Sequence, residues 1–418
     1  MLVQWFARRG LYYGWAVIGA MFVTLFMVLG LRFVFGLFYV AILADTGWAR
    51  AETAAIFSIS MAVYAVTMLL SGALFDRLGP RRLFPAAIVL LSVGVVLCST
   101  IDSIWQFYLY YGVLVGFAFS LLGFPTHMAV VPRWFVRKRG FASALALSGV
   151  GIGSLLIALV TEQIILGSGW RTTYVLYGTL VLVVLFPLNL FVHRSGPEQL
   201  GLQPDGVPGP APDLNGARPA GFTLGRAMGE PAFWLLGLAV SMIGFTSMTM
   251  VVHQTRLSLD LGYDIATASV LFGLTGLTRS LGQLTWGPLS DRFGRTPIYF
   301  TVTLMGLAGI GCLFLARATP VFGLLAGFTL LFGFGYSGLS PVYAATVADL
   351  FPGRHLGKIL AVLDIGFGAG ASGGPWLAGY LFDRHGNHDL MLMLLAGAVV
   401  VTGLAMYIAS RQRPPVPA

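Results

Sequence analysis

Apolar runs of about 20 residues, the length that spans a bilayer's hydrocarbon, recur from one end of this chain to the other. They are separated by short polar turns. The runs cover approximately 12–40, 53–74, 83–101, 105–131, 141–163, 172–192, 231–257, 266–288, 297–316, 321–348, 357–382 and 388–410. Each is too long for a strand and long enough for a helix that crosses about 30 Å of hydrocarbon. The pattern predicts an all-α membrane protein with twelve transmembrane helices.

The longest polar interruption runs from His193 to Glu230 and is dense in proline and glycine, as in Pro208-Gly-Pro-Ala-Pro. Such a stretch reads as a linker. It divides the chain into 1–192, a bundle of six spans, the linker 193–230, and 231–418, a second bundle of six. The halves echo each other. Gly72-Ala-Leu-Phe-Asp76-Arg77-Leu-Gly79 follows the second span and Gly287-Pro-Leu-Ser-Asp291-Arg292-Phe-Gly294-Arg295 follows the eighth. The two aspartates are 215 residues apart. Arg133-Trp-Phe before the fifth span and Leu350-Phe-Pro-Gly-Arg354 before the eleventh repeat near the same offset. Matched loops at one period indicate internal duplication, and in membranes duplication typically frames a site between the repeats.

Composition agrees with the pattern: 57% of residues are hydrophobic and 10% charged. A soluble domain carries about 25% charged residues. The net charge of +9 could suggest a nucleic-acid partner, but its distribution argues otherwise. With the N-terminus inside, the cytoplasmic segments hold eighteen of the 25 Lys and Arg. Arg50, Arg171, Arg256, Arg317 and Arg384 lie on the other side, and Arg32 and Arg279 lie within spans. This bias sets orientation in a membrane, with both termini cytoplasmic. The first span is too long for a removed signal peptide and lacks a small-residue cleavage site, so it is expected to stay. Cys98 and Cys312 sit in apolar spans and form neither a disulfide framework nor a metal cluster. No phosphate-binding loop or two-histidine metal motif occurs. We expect no enzyme, no cofactor, no metal and no nucleic acid; the expected partners are a small solute, protons and lipid, for a monomer.

The repeated loop places an aspartate near a helix end beside arginines. Such a group can latch the halves together and release them as they rock. Gly72, Asp76, Arg77 and Gly79, with Gly287, Asp291, Arg292, Gly294 and Arg295, are therefore candidate gating residues; the plainer alternative is a tight loop that holds positive charge inside. The loops resemble the signature of the major facilitator superfamily, and the resemblance extends over essentially the whole chain. It implies two pseudo-symmetric six-helix bundles, a central cavity and alternating access. Pro80 stands where that signature commonly has a basic residue. Thr46-Gly-Trp48-Ala-Arg50-Ala51 and Pro197-Glu-Gln-Leu-Gly201 are similar to elements of bacterial monocarboxylate-transporter and oxalate/formate-antiporter relatives, which implies a bacterial inner (plasma) membrane protein and a carboxylate cargo.

Arg279 lies inside the eighth span, eight residues before Gly287, or roughly 12 Å from its end at 1.5 Å per residue. A cation at that depth usually faces a cavity or a partner, and its planar fork suits a carboxylate. The resemblance gives an arginine at this place the same role. The alternative is a structural ion pair with Asp364. Animal-type monocarboxylate transporters carry an acid four positions before this arginine; here Thr275 stands there and cannot titrate. Asp364, at nearly the same depth in the eleventh span, is the expected proton carrier, because a carboxyl caught between burial and a nearby arginine can titrate in a useful range. Arg32 can attract anions from the first span or pair with Asp45 or Glu52. His253 and His127 are further candidates for proton coupling, though a lone histidine is more often a hydrogen-bonded helix residue. Tyr64, Tyr336 and Tyr343 offer hydroxyls toward a substrate, or serve as packing. The glycines from Gly149 to Gly153 and from Gly366 to Gly370 permit close, sliding helix contacts.

These residues point to a secondary transporter of small carboxylates, a proton–monocarboxylate symporter with Arg279 as anion anchor. An anion exchanger on the same fold is the nearest rival, favoured by Thr275. Drug efflux, which needs no central cation, and a non-transporting sensor, which lacks a signalling domain here, are weaker.

Overall fold

A computed structural model describes residues 12–135, 139–194, 196–206, 222–319, 321–352 and 356–412. Helices follow one another throughout, and no strand occurs among the described residues. Nine stretches among them are long and apolar enough to cross a membrane. One of these, Leu145–Val192, contains a break at Gly169 (φ 79°, ψ 162°) and so holds two passages. The helices Ile265–Phe293 and Leu356–His385 are 29 and 30 residues long but less apolar. Their polar and charged residues, Thr275, Arg279 and Gln283 in one and Lys358 and Asp364 in the other, lower the mean hydropathy without shortening the helix. This arrangement is consistent with the expected twelve.

The duplication is written into the backbone. Gly79 (φ 70°) ends the helix Arg50–Leu78, and Gly294 (φ 89°) ends the helix Ile265–Phe293. Both occupy left-handed space that a side chain disfavours, so each loop can turn straight into the next helix. Gly47 (φ 67°) and Gly262 (φ 91°) form a second such pair at the same 215-residue offset. The buried apolar side chains fall into two large clusters. One draws mostly on Tyr13 to Val192 and the other on Phe222 to Ala409.

Close helix contacts run between the clusters. A Cβ on Gly36 would stand 2.6 Å from the Val251 carbonyl oxygen, and one on Gly379 would stand 2.8 Å from the Ala51 Cα. Gly273 meets Leu155, and Gly368 meets Ala65. These seams need glycine because a methyl group would push the helices apart. No atom lies within 4 Å of where a Cβ would stand on Gly72, so close approach is not the reason for glycine there.

The arginines expected on the outer side are mostly neutralised locally. Arg171 pairs with Asp45 at 2.5 Å, Arg317 pairs with Asp389, and Arg50 and Arg256 share Asp260. Asp45, offered above as a partner for Arg32, is thus taken by Arg171.

Candidate functional site: a cavity between the halves

A cavity of about 190 Å³ opens where the two clusters meet. Its wall takes Phe33 from the first span, Ser154 from the fifth, Gln254 from the helix Pro231–Asp260, and Arg279 and Ser280 from the helix Ile265–Phe293. Tyr336 of the tenth span borders it as well.

The position of Arg279 follows from its neighbours on the helix. Trp286 Nε1 donates to the Phe334 carbonyl at 2.9 Å, and the Thr278 hydroxyl sits between the Leu274 carbonyl of its own helix at 2.9 Å and the Thr329 carbonyl at 3.1 Å. These bonds fix the helix against the tenth span. On the opposite side Gly276 admits Ser154, and Gly151 admits Ser280. The guanidinium is left pointing between the halves, 5.8 Å from the centroid of the Phe33 ring. Among the described residues it makes no ion pair. A guanidinium without an ion-pair partner in a low-dielectric cleft is costly and favours an anion beside it.

The structural pair considered for Arg279 and Asp364 is therefore absent. Rise per residue fixes depth along a helix and leaves its facing open. Asp364 is half-buried and outside the cavity wall. Tyr64 on the Arg50–Leu78 helix and Tyr343 on the tenth span lie within electrostatic reach of it.

Arg32 is also elsewhere. It is 6% exposed, with its Nη2 2.7 Å from the Met61 Sδ and its guanidinium 4.3 Å above the Tyr64 ring. Among the described residues its Nε has no partner, and it pairs with neither Asp45 nor Glu52. Tyr343 is buried with its hydroxyl unpartnered. Tyr336 presents its ring to the cavity, stacked on Phe332 at 4.8 Å, while its hydroxyl is buried near Thr246 and Thr402. His253 is buried and donates from Nε2 to the Pro375 carbonyl at 2.9 Å. His127 donates from Nδ1 to the Gly123 carbonyl at 3.1 Å and stacks on Phe84. Neither histidine lines the cavity.

In the second loop Arg295 is the hub, bonded to Asp291 at 2.5 Å and Asp349 at 2.9 Å. Arg292 and Arg77 are exposed. The side chain of Asp76, and the residues Arg137, Lys138 and Gly353 to His355, lie outside what the structure describes. Sequence reasoning missed Gln254, Ser154 and Ser280. Lone polar residues in apolar spans were their only signal, and many such residues merely bond their own helix. It also missed an inter-half cluster around Asp260, although Arg50 stands in a motif it had noted.

The profile of the Major Facilitator Superfamily matches residues 20–257 and 234–418. Monocarboxylate transporter 13 of Bos taurus is 28% identical over 400 residues, covering 95% of this chain and 89% of that protein. The uncharacterized MFS-type transporter YhjX of Escherichia coli strain K12 is 25% identical over 359 residues, 85% of each. A bacterial homolog of the human lysosomal transporter Spinster, solved inward-facing and unoccupied, superposes with a TM-score of 0.71 at 17% identity, over 96% of this chain and 97% of that one. The structural match shows the shared fold; the profile, spanning both halves, shows the family. This chain is a multi-pass membrane transporter of the Major Facilitator Superfamily, not an enzyme.

Proposed function

We propose that the chain is a secondary transporter of small carboxylates, working by proton symport and alternating access. The halves 1–192 and 231–418 rock about the cavity, joined by the linker 193–230, with both termini cytoplasmic. The observation that carries this reading is Arg279, a guanidinium at the wall of the inter-half cavity that pairs with no carboxylate among the described residues. Relatives named as monocarboxylate transporters support the cargo class. A thermal-shift screen of small carboxylates on purified protein tests it: parent protein is stabilised and Arg279→Ala is not.

Exchange of two anions is the second reading. Neutral Thr275 and the position of Asp364 outside the cavity wall favour it. Uptake under an imposed pH gradient, compared with counterflow at equal pH, separates the two.

A further inference from the structure

The helix Pro231–Asp260 starts beside the central linker and delivers Asp260 at its far end, about 45 Å further on. Three donors converge there on one carboxylate. Arg50 reaches both oxygens, Arg256 lies 3.1 Å from Oδ1, and His388 Nε2 lies 2.9 Å from Oδ2. An ionised carboxylate only accepts, so His388 carries its proton on Nε2. The ring is 6% exposed, and its Nδ1 has no partner among the described residues.

The charges around that ring balance only while it is neutral. Arg50 and Arg256 face Asp260 and Asp383, whose carboxylate accepts from the backbone N–H groups of Arg50 and Ala51. The other charged groups of the neighbouring elements are engaged elsewhere or face water. Asp389 pairs with Arg317, Arg384 donates to the Tyr380 hydroxyl, and Glu52 and His385 are exposed. His253, within electrostatic reach, bonds the Pro375 carbonyl. The Phe382 ring packs against both His388 and Arg50, at 4.6 Å and 3.4 Å.

A second proton on His388 puts an N–H on Nδ1, where nothing accepts it, and brings a third cation to one carboxylate. Asp260, Arg256 and His388 all belong to the second half, so their mutual attraction is much the same whether the halves meet or part. Arg50 alone comes from the first half. The added charge therefore biases the two states through Arg50, and its sign is repulsive. Parting also brings water to Nδ1, which favours the same state.

We propose that His388 makes this end of the interface a proton-operated release: acid on that face charges the ring, frees Arg50 and opens the cavity toward the acid side. The inference rests on alternating access and on no particular cargo.

Spin labels at Ala44 and Thr319, exposed positions on opposite halves, test it on purified full-length protein in nanodiscs, with Cys98 and Cys312 replaced by serine. Imidazole titrates between about pH 5 and 8. Acidification across that window should raise the ratio of long to short separations at least about fivefold. His388→Gln keeps a neutral donor for Asp260 and should hold the alkaline ratio throughout. Arg50→Gln removes the repelled partner and should flatten the response. His385→Gln, at the exposed neighbour, should respond as the parent does. A parent ratio that shifts with added carboxylate but ignores pH overturns the inference and leaves alternating access standing. One fixed separation under every condition removes both. A full response in His388→Gln or Arg50→Gln, or its loss in His385→Gln, also overturns the inference. A His388→Gln ratio already long at alkaline pH makes the ring a strut and overturns it too.

Discussion

Arg50 and Asp260 are joined across the two halves by a two-armed ion pair, Nη1 to Oδ2 at 2.7 Å and Nη2 to Oδ1 at 3.3 Å. The guanidinium also lies 3.4 Å from the Phe382 ring centroid. Asp260 accepts from Arg256 at 3.1 Å and from His388 at 2.9 Å. Asp383 takes the backbone N–H groups of Arg50 at 3.1 Å and Ala51 at 2.7 Å. A carboxylate there satisfies orphan donors at the positive end of the Arg50–Leu78 helix. The motif around Trp48 therefore has a physical task, which is to hold this end of the interface shut.

Asp260→Asn should loosen that end, because it leaves two arginines short of one anion. Losing a charge-assisted, partly buried pair costs about 1–3 kcal/mol. A cysteine placed at Val252, buried on the Gly36 seam, should react several-fold faster with a membrane-impermeant maleimide. Unchanged labelling would refute the clamp.

Arg279→Lys should lose most carboxylate binding, about tenfold or more, since a point charge replaces a two-pronged fork. Titration of a small carboxylate reads this directly. Binding as tight in Arg279→Ala as in the parent would end the anion-anchor reading.

Asp364→Asn should still bind and exchange substrate but no longer accumulate it under a pH gradient. Asp364 makes no ion pair with Arg279 and lies outside the cavity wall, so substrate affinity in the variant should stay near that of the parent. Retained proton-driven accumulation would exclude Asp364 and turn attention to His253.

Gly116→Ala tests packing within the first half. A Cβ there would stand 2.9 Å from both the Cα and the carbonyl oxygen of Ser60. Backbone cannot give way as a side chain does, so a loss of about 1–3 kcal/mol is expected. Gly19→Ala, with nothing within 4 Å, should be near neutral in the same thermal melts.

Cysteines at Glu198, exposed in the central segment, and at Asn387, beyond the helix Leu356–His385, should label from opposite faces of the membrane. Labelling from one face would overturn the orientation drawn from charge bias.

What the sequence made legible was whatever depends on position along a helix. The 215-residue echo reappears in Gly79 and Gly294. The mid-span depth of Arg279 reappears as a place in the cavity wall. What stayed hidden depends on facing. Asp364 has nearly the same depth as Arg279 but lies outside the cavity wall, and no count of residues fixes that angle. The Arg50–Asp260 pair joins residues 210 apart whose meeting exists only once the halves pack. Gln254 and Thr275, on different helices, are joined by a hydrogen bond that no spacing along the chain announces.

The helix Arg50–Leu78 has 29 residues, about 43 Å of rigid rod. It is gripped at one end by Asp383 and touches Gly368 through Ala65, near its middle. A rod held so is a seesaw with its fulcrum at Ala65. Drawing the Arg50 end toward the second half swings the Leu78 end, with its repeated loop, away from it. Travel is greatest at the tips and smallest at the fulcrum. Tyr64 is next to that fulcrum and Asp364 is one turn from Gly368. Both positions therefore lie where a tilt of the rod would shift neighbours least, while the tips would change theirs most.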